Sequence, residues 1–108
     1  MQNSTNLNDY YILDKTDINK FWVNGFIHLK NVLSKNEINF YRKEISKTAK
    51  KRFKNKEKEF GGAFYQALNI RFDSEEVEKF CLSKRLGKIA ADLMKVRAVR
   101  IFHEQAIF

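Results

Sequence analysis

His103 and Gln105 are the residues of this chain whose type and spacing best suit them to chemistry. Val99, Ile101, His103, Gln105 and Ile107 alternate with Arg100, Phe102, Glu104, Ala106 and Phe108. Period-two alternation of β-branched and aromatic residues predicts a strand with two distinct faces. One face sets His103 and Gln105 between Ile101 and Ile107, which is how a barrel or sandwich presents polar groups to an internal pocket. A carboxamide held there can hydrogen-bond a ligand, and an imidazole can orient it. The competing account is a polar pair satisfied by neighbouring strands or by water. Arg100 and Glu104, four residues apart on the other face, read as solvent-facing or cross-strand partners.

Other chemistries fail on spacing. The two histidines stand at positions 28 and 103 with no HxH or HxD pair, so no metal triad can be assembled from recognisable spacings. His103-Glu104-Gln105-Ala106-Ile107 starts like a zincin motif but has Ile107 where the second histidine must stand. Cys81 is the single cysteine; it has no CxxC partner and reads as a small packed hydrophobe. Gly61-Gly62 lacks the spacing and the following Lys-Ser/Thr of a phosphate loop.

The run Val99-Arg100-Ile101-Phe102-His103-Glu104-Gln105-Ala106-Ile107-Phe108 resembles the first core-strand segment of the phytanoyl-CoA dioxygenase family. Phe21-Trp22-Val23-Asn24-Gly25-Phe26-Ile27 is similar to that family's helix–Gly–strand entry, and the resemblance covers most of the chain from Ile18 onward. It implies a double-stranded β-helix (jelly roll) that uses Fe(II) and 2-oxoglutarate to hydroxylate a small-molecule substrate. The family's Lys/Pro/Gly-rich turn, its Trp-His-x-Asp motif, its later His ligand and its 2-oxoglutarate-binding Arg are all missing here. The resemblance therefore implies an N-terminal fragment, truncated before the metal motif, inactive and binding no cofactor by itself. By the same resemblance Gln105 and His103 are cofactor-side residues. A comparable Gln-x-x-Asn-x segment lies along the family's barrel mouth, which makes Gln66, Asn69 and Arg71 candidates for the substrate side. As plain sequence, those three equally suit a polar surface connection.

At 108 residues the chain is at most one domain. No apolar run approaches the ~18 residues of a membrane span, and no signal-peptide pattern opens the chain. The lone cysteine fits a reducing, cytoplasmic setting. Net charge is +8, and residues 42–59 hold nine Lys/Arg against three Glu. Such a cluster attracts phosphate-rich partners, or it is simply a solvated helix end. Phe53 and Phe60 only flank the following loop, so the interleaved aromatics of a nucleic-acid surface are lacking. Nucleic acid is thus the weaker expectation, although a small basic module binding nucleic acid or anionic lipid through 42–59 remains the alternative function.

The elements that must position these residues follow in order. Residues 1–13 are polar and Asn-rich, a loosely ordered segment whose end Tyr10, Tyr11, Ile12 and Leu13 can tie down. Asp14 or Thr16 caps a short helix carrying Ile18, Phe21 and Trp22, which Gly25 terminates. Residues 26–29 read as a short strand. Ser34-Lys35-Asn36-Glu37 is a capping box, and the helix it opens carries Ile38, Tyr41, Ile45 and Ala49 on one stripe to about Phe53. A loop over 54–62 leads to 63–72, whose mixed period fits either strand or short helix. Ser74 caps a brief helix to Leu82. Ser83 caps another with Leu86, Ile89, Ala90, Leu93 and Met94 facing a core, running directly into the closing strand.

The fold class is α+β: a helical layer and one core strand of a single domain over 14–108, α-rich as it stands. Burying Leu86, Ile89, Leu93 and Met94 represents roughly 6–12 kcal/mol, comparable to the ~5–15 kcal/mol net stability of a whole domain. Without the rest of a sheet, those faces must pack on each other, self-associate or stay exposed.

Overall fold

A computed structural model describes residues 7–53 and 66–108. The chain is α+β. Its elements are α1 (Lys15–Asn24), α2 (Lys35–Phe53), β1 (Gln66–Leu68), a 3-10 turn (Ile70–Phe72), α3 (Glu75–Cys81), α4 (Lys84–Met94) and β2 (Gln105–Ile107). No helix among the described residues is long and apolar enough to cross a membrane.

Each helix starts where a side chain can accept an orphan amide. Asp14 caps α1, accepting from the Asp17 N–H at 2.8 Å while the Asp17 carboxylate accepts from the Asp14 N–H. Thr16, the other candidate cap, lies inside the helix. Ser34 and Glu37 form the reciprocal box at the head of α2. Ser74 accepts from the Val77 N–H, and Ser83 from the Leu86 N–H. Gly25, at φ 81°, ends α1 with its N–H on the Phe21 carbonyl. α4 ends instead on Lys95, a non-glycine residue at φ 58°.

The strands pair antiparallel, with Gln66 opposite Ile107, Ala67 opposite Ala106 and Leu68 opposite Gln105. Two small alanines on one face let the sheet settle onto α2 and α3. Ala67 joins Ala49, Ile70 and Val77 in a buried cluster against which Ile45, Cys81 and Ala106 pack. Tyr41, 2 % exposed, has ring neighbours Phe40 and Phe80, both at 5.0 Å between centroids. α1 packs on α4, where the Trp22 indole N–H donates to the Leu93 carbonyl at 2.7 Å.

Several expectations need correction. The alternating segment 99–108 yields only three strand residues, because β1 offers only three partners; before them, among the described residues, only Glu104 bonds back, its carbonyl accepting the Asn69 N–H. Helix α4 does not run into that strand, since the Lys95 cap and residues 96–104 intervene. Residues 26–29 form no strand. The apolar stripes are incompletely covered: Ile38 is 46 % and Met94 52 % exposed. The undecided stretch 63–72 splits at Asn69 into β1 and the 3-10 turn, with 63–65 outside the described residues. Anchoring of the N-terminal segment begins at Leu7, which is fully buried and accepts the Arg85 N–H at 2.9 Å. Further along, the Tyr11 hydroxyl donates to the Lys30 carbonyl. Residues 1–6 and the loop 54–62 lie outside the described residues.

Candidate functional site

The two-stranded sheet has one face on the helices and one face open. Ala67 and Ala106 point inward, whereas Gln66, Leu68, Gln105 and Ile107 are exposed. Side-chain alternation forces this division, since consecutive strand residues point to opposite faces. Gln105 therefore lies on the outward side of the strand pair, away from the helices. Its amide nitrogen donates to the Gln66 side-chain oxygen, diagonally across the strand pair.

Beside this amide pair, the turn after β1 is built around Asn69. Its backbone is left-handed (φ 56°), a conformation that Asn tolerates better than most residues. The Asn69 N–H donates to the Glu104 carbonyl at 2.8 Å, and its side-chain oxygen accepts from Arg71 at 2.9 Å and from the Glu104 N–H at 3.3 Å. Arg71 closes a 2.5 Å ion pair with Glu104, the two side chains being only 11 % and 18 % exposed, and its guanidinium lies 4.4 Å from the Phe72 ring centre. On the α2 side, Arg52 donates to the Leu68 carbonyl, to the Asn69 carbonyl at 3.4 Å and to Asp73 at 2.7 Å.

Gln66 and Gln105 are thus brought together on the open face of the sheet, and Asn69 and Arg71 in the turn after β1. His103 joins neither pair; it is exposed, its ring edge-on to Phe102 at 4.9 Å. His28 is also exposed. Glu104 goes to Arg71 rather than to solvent, and Arg100 is exposed. Sequence reasoning missed Arg52, because in a run of basic residues nothing in its spacing separates it from its solvated neighbours. Arg42, Lys43, Lys47, Lys50 and Lys51 are exposed as a solvated helix face requires, while Lys54, Lys56 and Lys58 lie outside the described residues.

The donor set limits what the site can hold. Among the described residues no group of three or more His, Cys, Asp or Glu stands where it could hold a metal ion. The Gln66 and Gln105 amides offer hydrogen bonds to a carboxylate, but the cations beside them are already engaged, Arg71 with Glu104 and Arg52 with Asp73. Cys81 offers no thiolate: burial, with help from the Glu104 charge and against Arg71, pushes its thiol up to about 11.

The Asn69 turn can be tested directly. Asn69→Ala should cost about 2–3 kcal/mol, since alanine resists a positive φ and strands both the Arg71 donor and the Glu104 amide. Asn69→Gly relieves the backbone part and should cost roughly 1 kcal/mol less. Urea melts of both variants check the order; equal losses would show that the backbone conformation contributes nothing.

No family model, curated protein or solved structure matches this chain.

Proposed function

We propose that this chain forms the helical layer and an early core strand of a phytanoyl-CoA dioxygenase-like hydroxylase dependent on Fe(II) and 2-oxoglutarate. The sidedness of the sheet supports the reading most. Helices cover its alanine face, while Gln66, Gln105, Leu68 and Ile107 stand open on the other. A double-stranded β-helix needs such a sheet, with helices outside and a mixed polar and apolar wall inside. The chain's resemblance to the family over 99–108 points the same way.

In this reading Gln105 donates to a carboxylate of the co-substrate and Gln66 fixes the orientation of its amide. Asn69 and Arg71 form the rim on the substrate side, held by Glu104. Bound iron and 2-oxoglutarate would supply the oxidant for an unactivated carbon. In this reading the iron ligands come from outside these residues, and the chain by itself is expected to release no succinate.

The test is succinate release from 2-oxoglutarate in the presence of Fe(II) and O2. It compares this chain with the product of the longest reading frame that contains it. Succinate from the longer product, and none from the chain, is the expected result. Stoichiometric iron on the isolated chain, a frame ending at Phe108, or a longer product without turnover would each overturn the proposal.

A further inference from the structure

We propose that residues 97–103 form an edge for strand addition, taking an extended acidic and alternately apolar peptide segment of another polypeptide. Three observations meet there. Between the Val96 N–H, bonded to Ala91, and the Glu104 N–H, bonded to the Asn69 side chain, no backbone group of residues 97–103 has a hydrogen-bond partner among the described residues. The stretch 98–104 has no helix, turn or bend and leads straight into β2. Seven residues at ~3.3 Å each give the length of an ordinary strand, and unpaired backbone over that length is a template for another strand.

An open groove of about 690 Å³ lies beside the same segment, between it and α4. Val96, Ala98 and Val99 line one side, with Tyr10, Gly87 and Ala91 opposite. It can receive the apolar side chains of an added strand. A Cβ built on Gly87 would meet nothing within 4 Å, so the helix surface there is open.

Charge selects the occupant. Lys84 and Arg97 on the groove, and Arg100 beyond it, are exposed and have no carboxylate partner among the described residues. Lys88 and Asp92 satisfy each other at 2.8 Å. The net field is positive, which favours an acidic strand and, on a chain of net charge +8, disfavours a second copy. This inference goes beyond the hydroxylase reading and does not use the Gln66 and Gln105 amides; pairing of this edge by a strand of the same polypeptide in the longest reading-frame product would overturn it and leave that reading standing.

The probe is a labelled heptapeptide alternating Glu with Val and Ile, titrated with the full chain and followed by fluorescence anisotropy. Controls are its Lys-for-Glu counterpart and a version N-methylated on the bonding edge. Both controls should bind at least about tenfold more weakly, and added salt should weaken the acidic peptide. Arg97→Glu with Arg100→Glu, both at exposed positions, should cost about tenfold and reverse the charge preference. Gly87→Leu should weaken binding by filling the groove while raising helix propensity and thermal stability, which separates lost binding from lost folding. Absence of binding, equal binding of acidic and basic peptides, or indifference to N-methylation would overturn the proposal. So would protection of the 98–102 amides from hydrogen exchange in the free chain, because the edge would then already be occupied.

Discussion

Arg85→Ala is expected to cost about 3–5 kcal/mol, the loss typical of breaking a buried ion pair from one side. The Arg85 and Glu37 side chains are 10 % and 15 % exposed and meet as a fork, Nη1 to Oε1 at 2.8 Å and Nη2 to Oε2 at 3.1 Å. The same guanidinium donates to the Asp9 carbonyl at 2.8 Å and to the Val32 carbonyl at 2.9 Å. One side chain on α4 thereby fastens the N-terminal segment, the loop before α2 and the first turn of α2. Arg85→Lys should recover only part of the loss, because an ammonium cannot make the fork. Urea midpoints measure this, and a cost below about 1 kcal/mol, as for an exposed pair, would contradict it.

The pair also sets an acid limit. The Arg85 hydrogen bonds hold the Glu37 carboxyl below its ordinary value of 4.5, and burial only partly opposes them. The unfolded chain therefore takes up this proton at a higher pH than the folded one. The contribution of Glu37 is complete above about 4.5 and is lost as pH falls through its lowered folded value. Glu37→Gln should flatten that part of the acid-unfolding curve.

Tyr41→Ala is expected to cost about 3–5 kcal/mol, the range for deleting a buried aromatic side chain. Among the described residues Tyr41 is the largest fully buried side chain; it stands on α2 against α3, tilted 51° to Phe80. Ile38→Ala, on the same predicted stripe but at a position 46 % exposed, should cost less than about 1 kcal/mol. Comparable losses at the two positions would mean that Ile38 is covered in solution.

That contrast marks how far the sequence was legible. Helix starts were readable because a cap is local: Asp14, Ser34, Ser74 and Ser83 each accept from an amide three residues on. Helix stripes were readable in phase but not in depth, since periodicity does not say which end of a stripe another element reaches. Ile38 and Met94 are the result. The sheet was the least legible part. Alternation over 99–108 announced a strand, but its length is set by β1, whose Ala67 pairs with Ala106, 39 residues away. Which face is buried followed from the alanines at 67 and 106, and alternation alone weights both faces equally. The candidate site residues meet in two pairs, Gln66 with Gln105 and Asn69 with Arg71, while Arg52 and Arg85 escaped notice because their partners are distant in sequence.

The central claim is that the open face of the sheet is the wall of a co-substrate pocket with Gln105 on it. Its most direct test is the KM for 2-oxoglutarate of the longest reading-frame product carrying Gln105→Ala. Losing one hydrogen bond to a charged carboxylate, worth about 1.5–3 kcal/mol, should raise KM about 10- to 100-fold with kcat nearly unchanged. An unchanged KM in a folded, active variant would take Gln105 off the pocket and contradict the account.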